Sequence, residues 1–476
     1  MSRSSLTIVG GGIAGLSAAW YAQQQQIDYT LIESGDGWGG KIQTEHVNTA
    51  SGRVVVEWGP DAFITQKPWA LQLAHDLGLD DQLLGTNDDQ RQIYVWNRGR
   101  LQTLPDGLLM IIPTRFLPFA LSSLISPLGK LRMGLEAFIP SKDDDEDESL
   151  ADFVRRRLGQ EALDKLAEPL MSGIYNTDAE SQSLMATFPR FRALEQKYGS
   201  LTRGMLAMQR QRKARPTSDE RKPSMFMSFK DGMQTLIDTL VDRLTGDCRL
   251  NTGLQSIEAT AGGYRLRLDD GRWIDTQQVV LALPAYASAT LLAGLAPASA
   301  ALLRNVDYVS TGTLSLAYRK SDLHKVPDGF GVVIPQSAGR DINAITVSST
   351  KFDHRAPDDI VLLRAFYGGA RTPHTYQQDD ETLQATVRRE LKTIYGITAD
   401  PIFTRVLRNQ RATPQYTVGH RERVARIEAG LPAGLTVVGS PYHGVGVPDC
   451  VHQSQQAIER IAPDLKANPI TEPELV

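Results

Sequence analysis

The sequence predicts an α/β fold in which a doubly wound sheet is combined with a mixed-sheet domain and a helical lobe. Residues 6–9 form a short apolar, strand-like run that ends on glycines, residues 14–23 continue with good helix formers, and residues 29–32 form a second strand pattern. This is the strand-helix-strand opening of a doubly wound sheet. Residues 71–206 follow a largely helical pattern, and strand patterns dominate from 311 to 366.

Length and composition limit the possible functions. A chain of 476 residues exceeds one hydrophobic core and fits two or three domains. Its 51 basic and 55 acidic residues nearly cancel, so no broad positive field attracts nucleic acid, and we expect no such partner. Only two cysteines occur, Cys248 and Cys450, which favours a reducing compartment over a disulfide framework. The eight histidines form no metal-binding pair, and no metal site is predicted.

We expect neither export nor a membrane-spanning helix. Residues 1–5 lead straight into the first strand pattern without a separate apolar segment, so we expect a cytoplasmic protein. The most apolar stretch, residues 108–128, is interrupted by Pro113, Arg115 and Pro118 and makes a poor membrane span. It can rest on a bilayer surface or roof an apolar pocket, and we favour the roof. Membrane contact is therefore expected to be peripheral at most.

Gly10, Gly12 and Gly15 have the spacing of a dinucleotide-binding turn. The first permits a tight turn, the second lets the backbone approach a pyrophosphate, and the third lets the helix pack closely on the strand. The phosphates would then lie at the positive end of the helix. Glu33 ends the second strand pattern, where a carboxylate can accept hydrogen bonds from ribose hydroxyls and would repel a 2′-phosphate. A purely structural glycine turn is the alternative interpretation.

Two later segments favour FAD over NAD as the dinucleotide. Trp38-Gly39-Gly40-Lys41 can bring a second backbone segment and a cation toward the phosphates. Residues 57–61 follow a strand pattern at 53–56 and can place peptide groups beside a ring system. This order of segments resembles the FAD-containing amine oxidase superfamily.

That superfamily closes its flavin site with a glycine-rich turn near the C-terminus. Gly439 and residues 444–449, followed by a helix pattern at 451–461, fit this turn. The resemblance implies that the helix N-terminus faces the N1/O2 edge of the flavin and stabilises the negative charge that develops on reduction. It also implies a Rossmann-like FAD-binding domain assembled from separated stretches of the chain.

Seven longer strings are more specific than the first glycine turn. They are Gly59-Pro60-Asp61-Ala62-Phe63, Leu104-Pro105-Asp106-Gly107, Glu168-Pro169-Leu170-Met171-Ser172-Gly173-Ile174-Tyr175, Ala186-Thr187-Phe188-Pro189, Glu195-Gln196-Lys197, Pro414-Gln415-Tyr416-Thr417-Val418-Gly419-His420 and Gly444-Val445-Gly446-Val447-Pro448-Asp449-Cys450. In these strings the chain resembles the protoporphyrinogen and coproporphyrinogen oxidase family. Residues 172–175 and 195–197, together with Lys67, are most similar to its soluble bacterial branch.

The resemblance implies an enzyme of haem biosynthesis that oxidises coproporphyrinogen III to coproporphyrin III. Oxygen would be the electron acceptor and hydrogen peroxide the product, and other enzymes of the haem pathway are possible partners. Flavin N5 would supply the chemistry, so no catalytic side chain is predicted. The alternatives are a protoporphyrinogen IX oxidase, an amine oxidase or carotenoid desaturase on the same scaffold, and a non-catalytic porphyrin or flavin carrier.

The resemblance also implies the ligand-binding residues. The predicted FAD contacts are Gly10, Gly12, Ile13, Ala14, Gly15, Glu33, Ser34, Gly39, Gly40, Lys41, Gly59, Pro60, Asp61, Ala62, Leu254, Asn409, Gly446, Val447 and Pro448. Asn409 departs from the family, which often has a tryptophan at this position.

Cations are expected to bind the carboxylates of the substrate at the mouth of an apolar pocket. Lys67 is the first candidate, with Arg98, Arg100 and Arg340 as weaker ones, and each can equally be a solvated surface charge. Gly173 and Tyr175 are expected to line the cavity, although Tyr175 can also be a core ring with a satisfied hydroxyl.

These interpretations predict a division of the chain. FAD-binding parts are expected at 1–66, 225–283 and 420–463, the helical lobe with part of the substrate domain at 67–206, and the remaining substrate domain at 284–419. A mobile loop is expected at 207–224 and a frayed tail at 464–476.

Overall fold

The computed structural model describes residues 2–105, 107–109, 111–113, 115–214 and 224–467. The strands are β1 Ser2–Val9, β2 Tyr29–Ile32, β3 Thr44–Thr49, β4 Gly52–Glu57, β5 Phe63–Ile64, β6 Leu83–Gly85, β7 Ile93–Asn97, β8 Arg100–Thr103, β9 Leu108–Leu109, β10 Ile112–Pro113, β11 Phe226–Phe229, β12 Asp247–Arg249, β13 Leu254–Thr260, β14 Gly263–Leu268, β15 Trp273–Leu281, β16 Tyr308–Arg319, β17 Gly331–Val333, β18 Ala344–Val347, β19 Ile360–Gly368, β20 Phe403–Pro414 and β21 Leu435–Val437.

The α-helices are α1 Ile13–Gln24, α2 Trp69–Asp76, α3 Phe116–Leu121, α4 Pro127–Gly134, α5 Leu150–Arg157, α6 Gln160–Ala162, α7 Gly173–Tyr175, α8 Leu184–Thr187, α9 Pro189–Tyr198, α10 Leu201–Ala214, α11 Gln234–Arg243, α12 Ala285–Leu291, α13 Pro297–Arg304, α14 Ser348–Lys351, α15 Pro373–Tyr376, α16 Asp380–Tyr395, α17 His420–Ala429 and α18 Val447–Ala467. A π-helical stretch, Leu163–Ser172, leads into α7.

The first sheet collects strands from the beginning, the middle and the end of the chain. Its order is β12-β2-β1-β15-β14-β13, and β21 pairs with β15. Strands β12, β2, β1, β15 and β21 run parallel, whereas β13, β14 and β15 are antiparallel. Since parallel neighbours need crossover connections, helices are expected on both faces.

The side chains of this sheet feed a separate core on each face. Leu6, Ile8 and Leu31 pack with residues of α1, α11 and α18. Val9 and Ile32, which point to the opposite face, pack with residues of α12, α13 and α17. Helices therefore cover both faces, and the predicted doubly wound fold is confirmed.

The second sheet is mixed, as the sequence predicted. Its order is β20-β16-β19-β18-β17-β7-β8, antiparallel except for the parallel pair of β17 and β7. Helix α16 packs in the core on one face. On the other face, Val54 and Val56 of β4 pack against Ala317, Ile360 and Leu362. Strand β4, which directly precedes the predicted flavin loop, is thus held against the second sheet.

The helical lobe contains a fully buried ionic cluster. Arg157 donates hydrogen bonds to the carboxylates of Glu136 and Glu195, and all three side chains are shielded from solvent. Glu136 also accepts from the Ser200 hydroxyl at 2.7 Å and from the Leu201 amide at 2.8 Å. Burial by itself raises the pKa of Glu136, but the bonds from Ser200, Arg157 and Leu201 outweigh it and lower the pKa.

The boundaries of two predicted irregular segments differ from the structure. Helix α10 continues to Ala214, so the predicted loop at 207–224 does not begin at 207, and residues 215–223 lie outside the described residues. Helix α18 ends at Ala467 and so includes the first four residues of the predicted tail, and residues 468–476 lie outside the described residues. The helix also continues through Pro463, beyond the helix pattern predicted at 451–461.

The apolar stretch at 108–128 presents several large side chains to solvent. Leu117, Leu121 and Leu128 are 71%, 79% and 79% exposed. These three side chains are not covered by protein, and the predicted roof over an apolar pocket stays a prediction. No helix within the described ranges combines the length and the apolar character needed to cross a bilayer.

Removing one charge from the ionic cluster should destabilise the protein strongly. Glu136→Ala removes one of the two carboxylates that pair with the buried Arg157 guanidinium. We therefore expect a loss of about 3–5 kcal/mol in the free energy of unfolding, measured from urea midpoints. The control is Asp400→Ala at the surface pair Arg388–Asp400, whose aspartate side chain is 87% exposed. It should cost no more than about 1 kcal/mol. Equal losses in the two variants would contradict the assignment.

Candidate flavin and substrate site

The glycine turn after β1 forms an open cradle at the N-terminus of α1. Gly10 has φ +110°, a conformation that favours glycine, and a Cβ on Gly15 would clash with the Gly10 carbonyl oxygen. Gly12 is the N-cap of α1, and no atom lies within 4 Å of the place where its Cβ would stand. Ile13, Ala14 and Gly15 form the first turn of this helix. A phosphate can therefore approach the helix N-terminus along the backbone.

Glu33 lies beside this cradle at the end of β2. Its carboxylate accepts hydrogen bonds from the amides of Gly11 at 2.6 Å and Gly35 at 2.7 Å and from the Ser34 hydroxyl at 3.1 Å. The Glu33 carbonyl accepts from the Thr252 amide at 2.8 Å, which brings the start of β13, including Leu254, toward this end of the site.

The second glycine pair packs directly on the first turn. The Gly39 amide donates to the Gly11 carbonyl at 2.8 Å, and a Cβ on Gly40 would lie 3.5 Å from the Gly12 Cα. The Trp38 ring covers Gly11. Lys41 reaches across to the second sheet, where its ammonium donates to the carbonyl of Ala412. The predicted phosphate-binding segments are thus brought together around Gly12.

Two cations, Arg364 of β19 and Lys351 of α14, hold the loop that contains Gly59, Pro60, Asp61 and Ala62. Arg364 donates to the Gly59 carbonyl at 2.7 Å, and the Lys351 ammonium lies 2.8 Å from the Asp61 carboxylate. Burial alone would raise the pKa of Asp61, but Lys351 and Arg364 outweigh it and lower the pKa to about 2. Sequence analysis missed both cations, since nothing in their local sequence links them to residues 59–62.

The C-terminal glycine turn lies close to the glycine turn after β1, because α18 packs against α1. The Ser454 hydroxyl of α18 donates to the Ala14 carbonyl of α1 at 2.7 Å, and a Cβ on Gly439 would lie 3.5 Å from the Ala14 Cβ. Gly446, Val447 and Pro448 lie at the start of α18. The N-termini of α1 and α18, more than 430 residues apart in sequence, therefore belong to one site.

Lys67, which precedes α2 in the chain, contacts the N-terminus of α18 in the fold. Its ammonium is 2.6 Å from the carboxylate of Asp449, and the two side chains are 39% and 12% exposed. A Cβ on Gly444 would clash with this carboxylate, which shows that Asp449 folds back over the glycine turn. Sequence analysis missed Asp449 as the partner of Lys67, although it stands in the string that carries the resemblance.

Tyr175 is buried and approaches the same turn from the helical lobe. Its ring centroid lies 6.0 Å from that of Tyr416, and its hydroxyl is 3.5 Å from the Thr187 carbonyl oxygen. Burial raises the pKa of Tyr175, with the charge of Asp449 adding to the effect. Gly173 opens α7, and among the described residues nothing beyond its own helix and chain neighbours lies within 4 Å of the place where its Cβ would stand. Open space therefore lies beside Gly173, whereas Tyr175 packs beside Tyr416.

Tyr416 and His420 bind the backbone of the turn that precedes α18. The Tyr416 hydroxyl donates to the Ser440 carbonyl at 2.7 Å and accepts from the Gly444 amide at 2.8 Å. The His420 ring stacks on Tyr416 with centroids 3.9 Å apart, and its Nε2 lies 2.9 Å from the Tyr442 carbonyl oxygen. The sequence analysis had named both residues only as members of the string at 414–420.

His420 is held in its neutral form. A carbonyl only accepts hydrogen bonds, so Nε2 donates to Tyr442, and Nδ1 has no hydrogen-bond partner among the described residues. Burial lowers the pKa of His420 to about 4, and the positive charge of Arg423 adds to this, whereas the Tyr442 bond and Asp147 oppose it.

Asn409 lies on the same face of β20 as Arg405. Arg405, four residues earlier on β20, donates to the Glu45 carboxylate of β3 at 2.7 Å. Residues at even spacing along a strand share a face, and β20 pairs regularly with β16 from Phe403 to Asn409, where the register then shifts. The predicted contact of Asn409 with FAD therefore stays a prediction that agrees with its strand face.

The weaker cation candidates lie in other settings. Arg340 is bound to Glu390 of α16 at 2.6 Å. Arg98 and Arg100 are exposed at the turn between β7 and β8. Only Lys67 among the four candidate cations has a described contact with the α18 turn.

The donor set suits a dinucleotide with a flavin ring. Gly12 leaves room for a pyrophosphate at the N-terminus of α1, Glu33 supplies a carboxylate beside it, and the N-terminus of α18 adds a second positive helix end. Among the described residues, no group of three or more histidine, cysteine, aspartate or glutamate side chains is arranged to hold a metal ion.

Comparison with known proteins gives a consistent result. The family model described as flavin containing amine oxidoreductase matches residues 13–462. Several relatives are named coproporphyrinogen III oxidase, among them one from Bacillus subtilis and one from Staphylococcus aureus. The one from Bacillus subtilis is 33% identical, with 96% of this chain and 97% of the relative covered. The one from Staphylococcus aureus is 34% identical, with 97% and 99% covered.

A solved structure agrees with these matches. The Exiguobacterium sp. 255-15 protein, provisionally named protoporphyrinogen oxidase, has a TM-score of 0.83 to this chain at 32% identity. The similarity covers 97% of this chain and 99% of that one. The fold is therefore similar over the whole length of both proteins.

Filling the cradle at Gly12 should abolish flavin retention. In Gly12→Val the side chain would occupy the space beside the N-terminus of α1 that a pyrophosphate needs. We expect the wild-type protein to be yellow and to release FAD on denaturation, and the variant to be purified without it, as measured by absorbance and chromatography of the released cofactor. Stoichiometric FAD in the variant, or release of FMN from the wild type, would contradict the cradle.

Acidification should destabilise the protein in part through His420. The unfolded chain takes up a proton near pH 6.5, whereas folded His420 resists protonation until about pH 4. The free energy of unfolding should therefore fall by up to about 3 kcal/mol across this window. His420→Gln should remove that part of the pH dependence in urea unfolding. The matched control is His374→Gln at an exposed imidazole, and the same change of slope in both variants would rule out the burial effect.

Proposed function

This chain belongs to the flavin containing amine oxidoreductase family and to its porphyrinogen oxidases, and we propose that it oxidises coproporphyrinogen III to coproporphyrin III with FAD and oxygen. Relatives with the name coproporphyrinogen III oxidase support this assignment over nearly their full length. The observation in the structure that carries it is the convergence of Lys67 and Tyr175 on the N-terminus of α18.

The protein is proposed to bind and orient the cofactor and the substrate and to exclude side reactions. When bound, FAD would supply the redox chemistry: it would take two electrons in each of three turnovers, and one oxygen molecule would be reduced to hydrogen peroxide each time. The backbone at Gly12 and the carboxylate of Glu33 would hold the dinucleotide. The N-terminus of α18 would stabilise negative charge on the reduced ring. We assign no side chain as a general base, because pyrrole protons can leave to solvent.

Lys67 is proposed to bind a propionate of the substrate. An ammonium has three donors, so it can hold the Asp449 carboxylate and a substrate carboxylate at the same time. Its side chain is 39% exposed, so a ligand can reach the ammonium. Gly173 and Tyr175 are proposed to border the macrocycle, since Gly173 opens on free space and Tyr175 offers an apolar ring.

Protoporphyrinogen IX is the second candidate substrate, because the Exiguobacterium structure carries the name protoporphyrinogen oxidase. It has two carboxylates, whereas coproporphyrinogen III has four. Recognition by charge is therefore the physical basis on which the two substrates can be separated. A cytoplasmic location is also proposed, and the two unpaired cysteines, Cys248 and Cys450, support a reducing compartment.

Anaerobic reduction of the bound flavin tests the proposed function directly. We expect coproporphyrinogen III to bleach the flavin absorbance faster than protoporphyrinogen IX, and oxygen to restore it with release of peroxide. Faster bleaching by protoporphyrinogen IX would reverse the substrate assignment. A flavin that neither porphyrinogen reduces would favour a carrier, and reduction by amines would favour an amine oxidase.

Loss of the Lys67 ammonium should affect the four-carboxylate substrate more. In Lys67→Ala we expect kcat/KM for coproporphyrinogen III to fall by at least fivefold, or about 1 kcal/mol, and by up to about a hundredfold if the pair is desolvated on binding. Raising the ionic strength should slow this substrate more than protoporphyrinogen IX, since screening weakens each exposed attraction.

The matched variant Lys67→Arg keeps the positive charge and should retain most of the preference. Equal losses for both substrates in Lys67→Ala and in salt would show that Lys67 does not select between them.

A further inference from the structure

One buried hydroxyl joins both ends of the glycine turn that precedes α18. Tyr416 is 1% exposed, and its hydroxyl uses its donor on Ser440 and accepts from Gly444. Gly444 has φ +142°, and Asp449 occupies the space where its Cβ would stand, so the turn has little freedom at this residue. The hydroxyl thus fixes the distance between Ser440 and Gly444, which lie at the two ends of the turn.

His420 holds the middle of the same turn. Its Nε2 donates to the Tyr442 carbonyl, and its ring lies flat on Tyr416 at an interplanar angle of 17°. Three backbone groups of the turn, those of Ser440, Tyr442 and Gly444, are therefore bound by two side chains four residues apart. Helix α18 begins three residues after Gly444.

The backbone of Tyr416 is anchored in the helical lobe. Its carbonyl accepts from the Ser183 amide at 2.8 Å, and the neighbouring Gln415 amide group lies 3.4 Å from the Tyr175 carbonyl oxygen. The ring of Tyr416 also contacts the ring of Tyr175. Tyr416 thus connects the helical lobe, which carries the proposed substrate residue Tyr175, to the turn that precedes α18.

We propose that Tyr416, assisted by His420, is a positioning residue that holds residues 440–446 so that the N-terminus of α18 is aimed at the bound flavin. This inference rests on the proposed function in that it requires a flavin at α18. A helix N-terminus stabilises an anion only close to its first turn, so a small rotation of the segment before α18 weakens this effect. Loosening the turn should therefore disfavour the reduced, negatively charged flavin.

Tyr416→Phe removes the hydroxyl and keeps the ring. In the purified holoprotein we expect the equilibrium between oxidised and reduced flavin to shift about tenfold toward the oxidised form, which is about 30 mV in the midpoint potential of a two-electron couple. Affinity of the oxidised flavin for sulfite, which also depends on stabilised negative charge in the ring, should fall in the same direction. Both measurements use no porphyrinogen, so they remain valid if the substrate assignment fails.

His420→Phe gives a second reading, because it keeps a stacked ring and removes only the bond to Tyr442. It should shift the potential in the same direction, and it decides the question if Tyr416→Phe does not yield folded protein.

The control for a merely structural role is Tyr367→Phe. Tyr367 is also 1% exposed, and its hydroxyl donates to the Leu407 carbonyl at 2.8 Å within the second sheet. This variant should lose comparable thermal stability and keep the wild-type potential. Wild-type potential and sulfite affinity in Tyr416→Phe and His420→Phe would overturn the proposal, as would an equal shift in Tyr367→Phe.

Discussion

The site depends on the contact between α1 and α18, because each helix presents its N-terminus to the ligand and neither can do so unless both are held side by side. The hydrogen bond from the Ser454 hydroxyl to the Ala14 carbonyl fixes the position of α18 along α1, and Gly439 has no side chain that would separate the two helices. Two partial positive charges are thereby directed into one site. In the free protein, Asp449 and Glu33 supply the nearby negative charge.

The position of the flavin loop depends equally on the second sheet. Arg364 of that sheet and Lys351 of α14 reach to Gly59 and Asp61, and Lys41 reaches back to Ala412. Buried charges are tolerated only when they are paired and hydrogen-bonded, so these contacts would be lost together if the two domains separated. The domains that would bind cofactor and substrate are therefore one mechanical unit at the site, which suits a reaction that needs a large macrocycle held against a ring.

The pairing of Lys67 with Asp449 suggests how the chain can keep a cation available in an otherwise apolar region. The carboxylate satisfies the ammonium in the absence of substrate, and the partial exposure of Lys67 leaves room for a second acceptor. Tyr175 borders the same turn from the lobe and is linked through Tyr416 to the residues that aim α18. The residues proposed to bind substrate thus lie near the same short segment, 440–449, that is proposed to bind the flavin.

The sequence by itself determined the first strand-turn-helix and the opening of the doubly wound sheet, because periodicity and glycine spacing act over a few residues, and its longer strings carried the resemblance to the flavin family. It set the start of the loop at 207 and the end of the last helix pattern at 461, whereas α10 continues to Ala214 and α18 to Ala467. Tertiary structure alone decided that Asp449 pairs with Lys67, that Arg364 and Lys351 hold residues 59–61, and that Tyr416 and His420 bind the turn before α18. These contacts join residues tens to hundreds of positions apart, and which side chains meet is fixed by how sheets and helices pack rather than by any local pattern.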